Sequence, residues 1–165
     1  MFHVGILMVL AFGYKAISSK LAEGSKSAVS GALLAAMNTG HDGSMTTIHA
    51  NTPRDSLSRL ENMIGMAGLN LPHQAARQQI ASAITVIVQA LRLTDGKRKI
   101  TSIQEITGME GEIIITQDLF RFAYDTSDFS DKVKGTFDSS HIRPGFIERA
   151  RYYGLEAALM DVMQS

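Results

Sequence analysis

The sequence predicts a mixed α/β fold in which helices pack against an antiparallel meander and a helical tail follows. Three features carry that expectation. Leu57, Leu60 and Ile64 recur at helical spacing within "NTPRDSLSRLENMIGM". The period then changes. "AITVIVQALRLT" and "KRKITSIQEI", rich in β-branched residues, flank Asp95-Gly96, a strong signal for a tight hairpin. Last, "FIERARYYGLEAALMDVMQ" returns to a helical pattern, with Phe146, Ile147, Ala150, Tyr153 and Leu155 expected to face inward.

Along the chain, the opening "MFHVGILMVLAFGYK" holds an apolar run over residues 4–12. It is shorter than the roughly 18 residues a membrane-crossing helix needs and lacks the basic start of a signal peptide. It reads as a buried strand or short helix. "AISSKLAEGSKSAVSG" has the Ser, Gly and Ala content of a connection. Residues 32–37 are good helix formers, and the glycines of "NTGHDG" stop that helix. "SMTTIHA" fits a short strand.

The next helix has a marked start. Thr52 can cap it, Pro53 suits its first turn, and Asp55 stands where a capping acid would. "GLNLP" turns into a second helix over residues 72–82. Beyond the hairpin, "TGMEGE" precedes two further strand-like stretches, "IIITQDL" and "FRFAY". No internal repeat is visible.

Sixteen basic residues balance sixteen acidic ones, so no net field recruits nucleic acid or an anionic membrane. The densest basic cluster, "DGKRK", reads as a solvated hairpin tip. The chain has no cysteine, which excludes disulfides, thiolate catalysis and cysteine-type zinc sites. The nine methionines are expected mainly as core filler. Arg54, Arg59 and Arg77 read as helix-surface or intersubunit salt-bridge residues.

Chemistry concentrates in "TGHDGSMTTIHA", where two of the five histidines, His41 and His49, bracket a run of hydroxyl side chains. A zinc site would need three or four ligands. His41, Asp42 and His49 offer no paired spacing on one helix, and His73 and His141 are distant in sequence. Ser44 sits in no nucleophile-elbow pattern, which argues against a hydrolytic triad. A phosphate-facing loop suits the composition better. Glycines let backbone amides approach an anion, hydroxyls donate to phosphate oxygens, and a histidine at a strand end can donate or orient water. The residues alone leave this open beside a plainer alternative, histidines that hydrogen-bond a turn.

The run "AMNTGHDGSMTTIHANTPRDSLSRLENMIGMAG" resembles the region around the histidine box of type II/type IV secretion-system ATPases. It is most similar to the branch that drives Flp or tight-adherence pili, the CpaF type. The likeness continues through "ARQQIASAITVIVQALRLTDGKRKITSIQEITGMEGEIIITQDLFRF" and, more loosely, "GTFDSSHIRPGFIERARYYGL", covering about residues 36–154. It implies the C-terminal portion of a RecA-like P-loop NTPase domain. It also implies ATP and magnesium in the intact assembly, a hexameric ring of identical subunits, partner platform proteins at the inner membrane and a cytoplasmic location. No nucleic-acid partner is implied. By that likeness His49 and His41 are the catalytic candidates, and Ser44, Thr46 and Thr47 line the same phosphate-facing edge.

The departures are equally specific. The family's phosphate loop, G-x-x-x-x-G-K-[ST], occurs nowhere in the chain: "EGSKS" has no Gly-Lys pair, and "DGKRK" lacks both the upstream glycine and the hydroxyl residue. "EGSKSAVSGALLA" stands where the family places its metal-orienting acid and an "RG-x-E-A-x-D" segment. The expected organisation is therefore a non-matching apolar and Ser/Gly-rich lead over residues 1–35, a partial ATPase core with the histidine box over 36–125, and a helical extension over 126–165. The simplest account of the lead is a truncated ATPase, or a C-terminal portion joined to unrelated or out-of-frame sequence. The chain alone is expected to bind no cofactor and to be inactive. The rival expectation is a non-catalytic remnant, or a module that only docks on neighbouring subunits.

Overall fold

The computed structural model describes residues 6–10, 45–66, 71–125 and 133–164. The expected helix at residues 32–37, together with His41 and Ser44, lies outside the described residues. The apolar lead forms strand β1, Ile6–Leu10, and "SMTTIHA" forms β2, Met45–His49. Two helices follow, α1 over Pro53–Met66 and α2 over His73–Ala83. Then come β3 (Val86–Arg92), β4 (Arg98–Glu110), β5 (Ile113–Tyr124) and β6 (Gly135–Ser139), and last the short helices α3 (Ile147–Tyr152) and α4 (Glu156–Gln164). The strands form one sheet in the order β2-β1-β3-β4-β5-β6, and each neighbouring pair is antiparallel.

Local chemistry explains most of these boundaries. The Thr52 hydroxyl accepts the Asp55 N–H at 3.1 Å, so α1 starts where a capping residue followed by proline predicts. At the β3–β4 turn, Gly96 takes φ +78° and Asp95 accepts the Lys97 N–H at 3.0 Å. That bond holds the Asp95 carboxyl below its usual range. The basic cluster is a hairpin tip as expected, with Lys99 Nζ additionally 4.7 Å from the centre of the Phe122 ring. The β4–β5 connection is a two-residue turn in which Gly111 takes φ +59°, the position where such hairpins favour glycine. "IIITQDL" and "FRFAY" prove to be one strand, β5, with a register shift opposite Ile103 and Gln104.

The two sheet faces are covered by different elements. Leu57, Leu60 and Ile64 of α1 and Ala76, Ile80 and Ala83 of α2 pack with Ile48, Ile84, Ile87 and Ile106 in one core. Ile80 and Ile87 are wholly buried; a side chain of that size contributes about 1.5–3 kcal/mol when removed from water. On the opposite face, Glu105 of β4 is 3% exposed and accepts N–H bonds from Gln117 Nε2 (2.7 Å), Gly145 (2.9 Å) and Phe146 (3.0 Å). This carboxylate fastens the C-terminal segment to the sheet.

That segment departs from the expected unbroken helix. Residues 126–165 include an edge strand, β6, whose Phe137 stacks on Phe120 with ring centres 5.4 Å apart. The helical stretch then breaks at Gly154 (φ +71°), where Gly154 N–H reaches Arg151 O and Leu155 N–H reaches Ala150 O, a Schellman closure. The break turns Tyr153 and Leu155 outward, so both are exposed rather than inward-facing. Ile147 is buried as expected, and Met163 of α4 is the other buried residue of these helices. Ser139 Oγ and His141 Nδ1 both donate to the Met163 carbonyl near the end of α4, at 2.6 and 3.0 Å. Among the described residues, no helix is long and apolar enough to cross a membrane.

Candidate functional site

His49 ends β2, the sheet's edge strand among the described residues. Successive strand residues alternate faces. Ile48 is therefore buried against α1 and α2, while Thr47 and His49 share the other face and are exposed. Thr46 lies one step earlier in β2 and pairs with Val9. The imidazole of His49 and the hydroxyl of Thr47 thus stand two residues apart on one solvent-facing side. Together they offer donors to an anion. Among the described residues, no group of three or more His, Cys, Asp or Glu side chains is placed to hold a metal ion.

The backbone leaving His49 is held from two directions. Arg59 Nη1, from α1, donates to the His49 carbonyl at 3.0 Å. Gln89 Nε2, from β3, donates to the carbonyls of Ala50 and Asn51 at 3.3 and 3.4 Å. Register places Leu7 opposite both Ile48 and Gln89, so the Gln89 side chain rises on the α1/α2 face, where the chain turns from β2 into α1. Sequence reading left Gln89 unremarked. Its signal was there: one amide inside the apolar run "VIVQAL". Arg59, expected on the helix surface, is indeed exposed, but it serves the histidine strand.

The family described as Type II/IV secretion system protein matches residues 27–123. The chain belongs to that family. The family match contains β2 with His49, both helices of the main core, β3, β4 and nearly all of β5, whereas β1, β6, α3 and α4 fall outside it. Among curated relatives, "Putative conjugal transfer protein Rv3659c" of Mycobacterium tuberculosis is 36% identical over 81 residues, 49% of this chain and 22% of that protein. Conjugal transfer protein TrbB of Rhizobium radiobacter is 38% identical over 79 residues, 48% of this chain and 22% of that protein. The chain spans about a fifth of the length of the curated relatives it matches.

A second polar cluster within the family match joins α1 to α2. Glu61 accepts His73 Nδ1 at 2.7 Å and Arg77 Nε at 2.9 Å. Burial alone would push the Glu61 carboxyl up, but the bonds from Arg77 and His73 outweigh it and hold the group below its ordinary range. Arg77 Nη1 also donates to the Glu112 carbonyl at 3.0 Å, tying α2 to the β4–β5 turn. Arg77 is thus an ion-pair residue within the chain, and its bonds are consistent with a bracing role.

Proposed function

We propose that this chain is the C-terminal portion of a RecA-like motor domain of a secretion ATPase, and that His49 orients nucleotide phosphates at the open edge of the sheet. One observation carries the reading. Within the family-matched stretch, an exposed histidine and a hydroxyl residue share one face at the end of an edge strand, and the backbone behind the histidine is tied down. A group that must meet a phosphate needs this combination of access and fixed geometry. In this proposal Thr47 of β2 joins His49 at the phosphate-facing edge, and His41 and Ser44 of "TGHDGS" are further candidates for contact with the same phosphate.

In the intact assembly the ATP-binding loop and the magnesium site come from outside this segment, and bound ATP with magnesium supplies the phosphoryl chemistry. This chain's own residues orient the terminal phosphate or its attacking water by donated hydrogen bonds. The motor works as a hexameric ring on the cytoplasmic side, docked to inner-membrane platform proteins, and drives pilus or secretion-platform movement of the CpaF type. The conjugal-transfer names of its relatives support a transfer or secretion role more broadly.

The test is a graft of residues 36–154 into a complete ATPase of this family. His49→Ala should lower turnover by about 10- to 1000-fold, the scale of one lost aligned catalytic hydrogen bond. Ground-state ATP binding and melting temperature should change little. A large fall in melting temperature with activity per folded molecule intact would overturn the reading. The chain alone should show no ATP turnover; about 1 per second, abolished by His49→Ala, would also overturn it.

A second reading is favoured by the missing G-x-x-x-x-G-K-[ST] motif: a non-catalytic remnant or oligomer-docking module. It predicts that His49→Ala leaves the graft's turnover unchanged.

A further inference from the structure

We propose that Gln89 and Arg59 are positioning residues for His49, an inference that rests on the phosphate reading above. Three consecutive carbonyls, those of His49, Ala50 and Asn51, each accept a side-chain N–H from another element. A turn leaving an edge strand can satisfy such carbonyls with water. Here β3 and α1 satisfy them instead, which fixes successive peptide planes and with them the direction of the His49 side chain.

The identity of Gln89 makes packing alone an insufficient explanation. The residue is 2% exposed, in a strand otherwise rich in valine, isoleucine and leucine. Among the described residues its Oε1 is buried without a hydrogen-bond partner. A buried acceptor left unpaired is unfavourable, and an apolar side chain of similar shape would avoid it. What glutamine offers that methionine cannot is Nε2, shared between two backbone carbonyls just beyond the histidine. The long, shared bonds are individually weak. Their placement beside the Arg59 bond makes them a clamp.

The experiment uses the isotope-labelled full chain and its Gln89→Met and Arg59→Met variants, with inorganic phosphate as the probe. In a folded Gln89→Met variant the carbonyl-carbon signals of Ala50 and Asn51 should move, and the His49 ring signals should move with them. His73 and His141 serve as internal controls that stay in place. The apparent Kd for phosphate read at the His49 ring should rise about tenfold, equivalent to one lost hydrogen bond to an anion.

Should Gln89→Met fail to fold, Arg59→Met on the exposed helix face decides, through the His49 carbonyl and ring signals. Folded variants whose His49 ring signals match the parent overturn the proposal, even where the parent responds to phosphate. A parent whose His49 ignores phosphate, while the ring still moves in the variants, leaves the positioning role standing and removes the phosphate reading beneath it.

Discussion

Replacing Glu105 should release the C-terminal segment from the sheet, and its surroundings set the size of the effect. The carboxylate is almost wholly buried and accepts three N–H donors, two of them backbone groups of Gly145 and Phe146. Hydrogen bonds to a charged acceptor contribute about 1.5–3 kcal/mol each. Gly145 is exposed, so its N–H can return to water, and the half-buried Gln117 amide can rotate outward. Allowing for that recovery, Glu105→Ala should cost about 3 kcal/mol, and Glu105→Gln, which keeps one acceptor oxygen, about 1–2 kcal/mol. At this chain length those losses correspond to roughly 6–12 °C and 2–8 °C in melting temperature. Thermal unfolding followed by circular dichroism measures the totals. Hydrogen exchange should show α3 and α4 losing protection while α1 and α2 keep theirs. Variants that melt within about 1 °C of the parent, or that lose protection evenly throughout, would refute the assignment of Glu105 as the fastening.

Three further outcomes follow from described contacts. Glu61 has a folded carboxyl held below its ordinary value of 4.5, so its contribution to stability is present above that pH and lost as pH falls through the lowered folded value. Melting temperatures of the parent and Glu61→Gln should therefore differ at neutral pH and converge under acid conditions. A Cβ on Gly135 would lie 2.1 Å from the Ala123 carbonyl and 2.7 Å from the Phe122 ring, so Gly135→Ala should detach β6, cost about 1–3 kcal/mol and expose β5 amides to exchange. Ile80→Ala, at a wholly buried position between helix and sheet, should cost about 2–5 kcal/mol in denaturant unfolding without changing the folded-state spectrum.

Elements governed by local chemistry were legible in the sequence. Thr52-Pro53 and Asp95-Gly96 act within a few residues of themselves, and Leu57, Leu60 and Ile64 declare a buried stripe wherever that helix docks. Gly154 carried a stop signal as well, yet the apolar residues around it invited reading one continuous helix. Strand β6 was hidden because "GTFDS" is short and mostly exposed; its partner is chosen by Phe137 meeting Phe120, a contact no local pattern encodes. The candidate site divides similarly. Thr47 and His49 followed from strand alternation once β2 was placed, whereas the service of Gln89 and Arg59 to the same turn depends on how distant elements cross.

The strand order has a consequence for how the molecule opens and closes. The β3–β4 and β4–β5 hairpins join neighbours in sequence and can form early, with little loop to close. Among the described residues β2 pairs with β1 and not with β3, and β1 must find both strands across long stretches of chain. This pairing predicts that the two strands separate as one cooperative unit, with the histidine edge the first part of the sheet to open. Amide exchange in β1 and β2 should report a single opening free energy, lower than that of the β3–β5 meander.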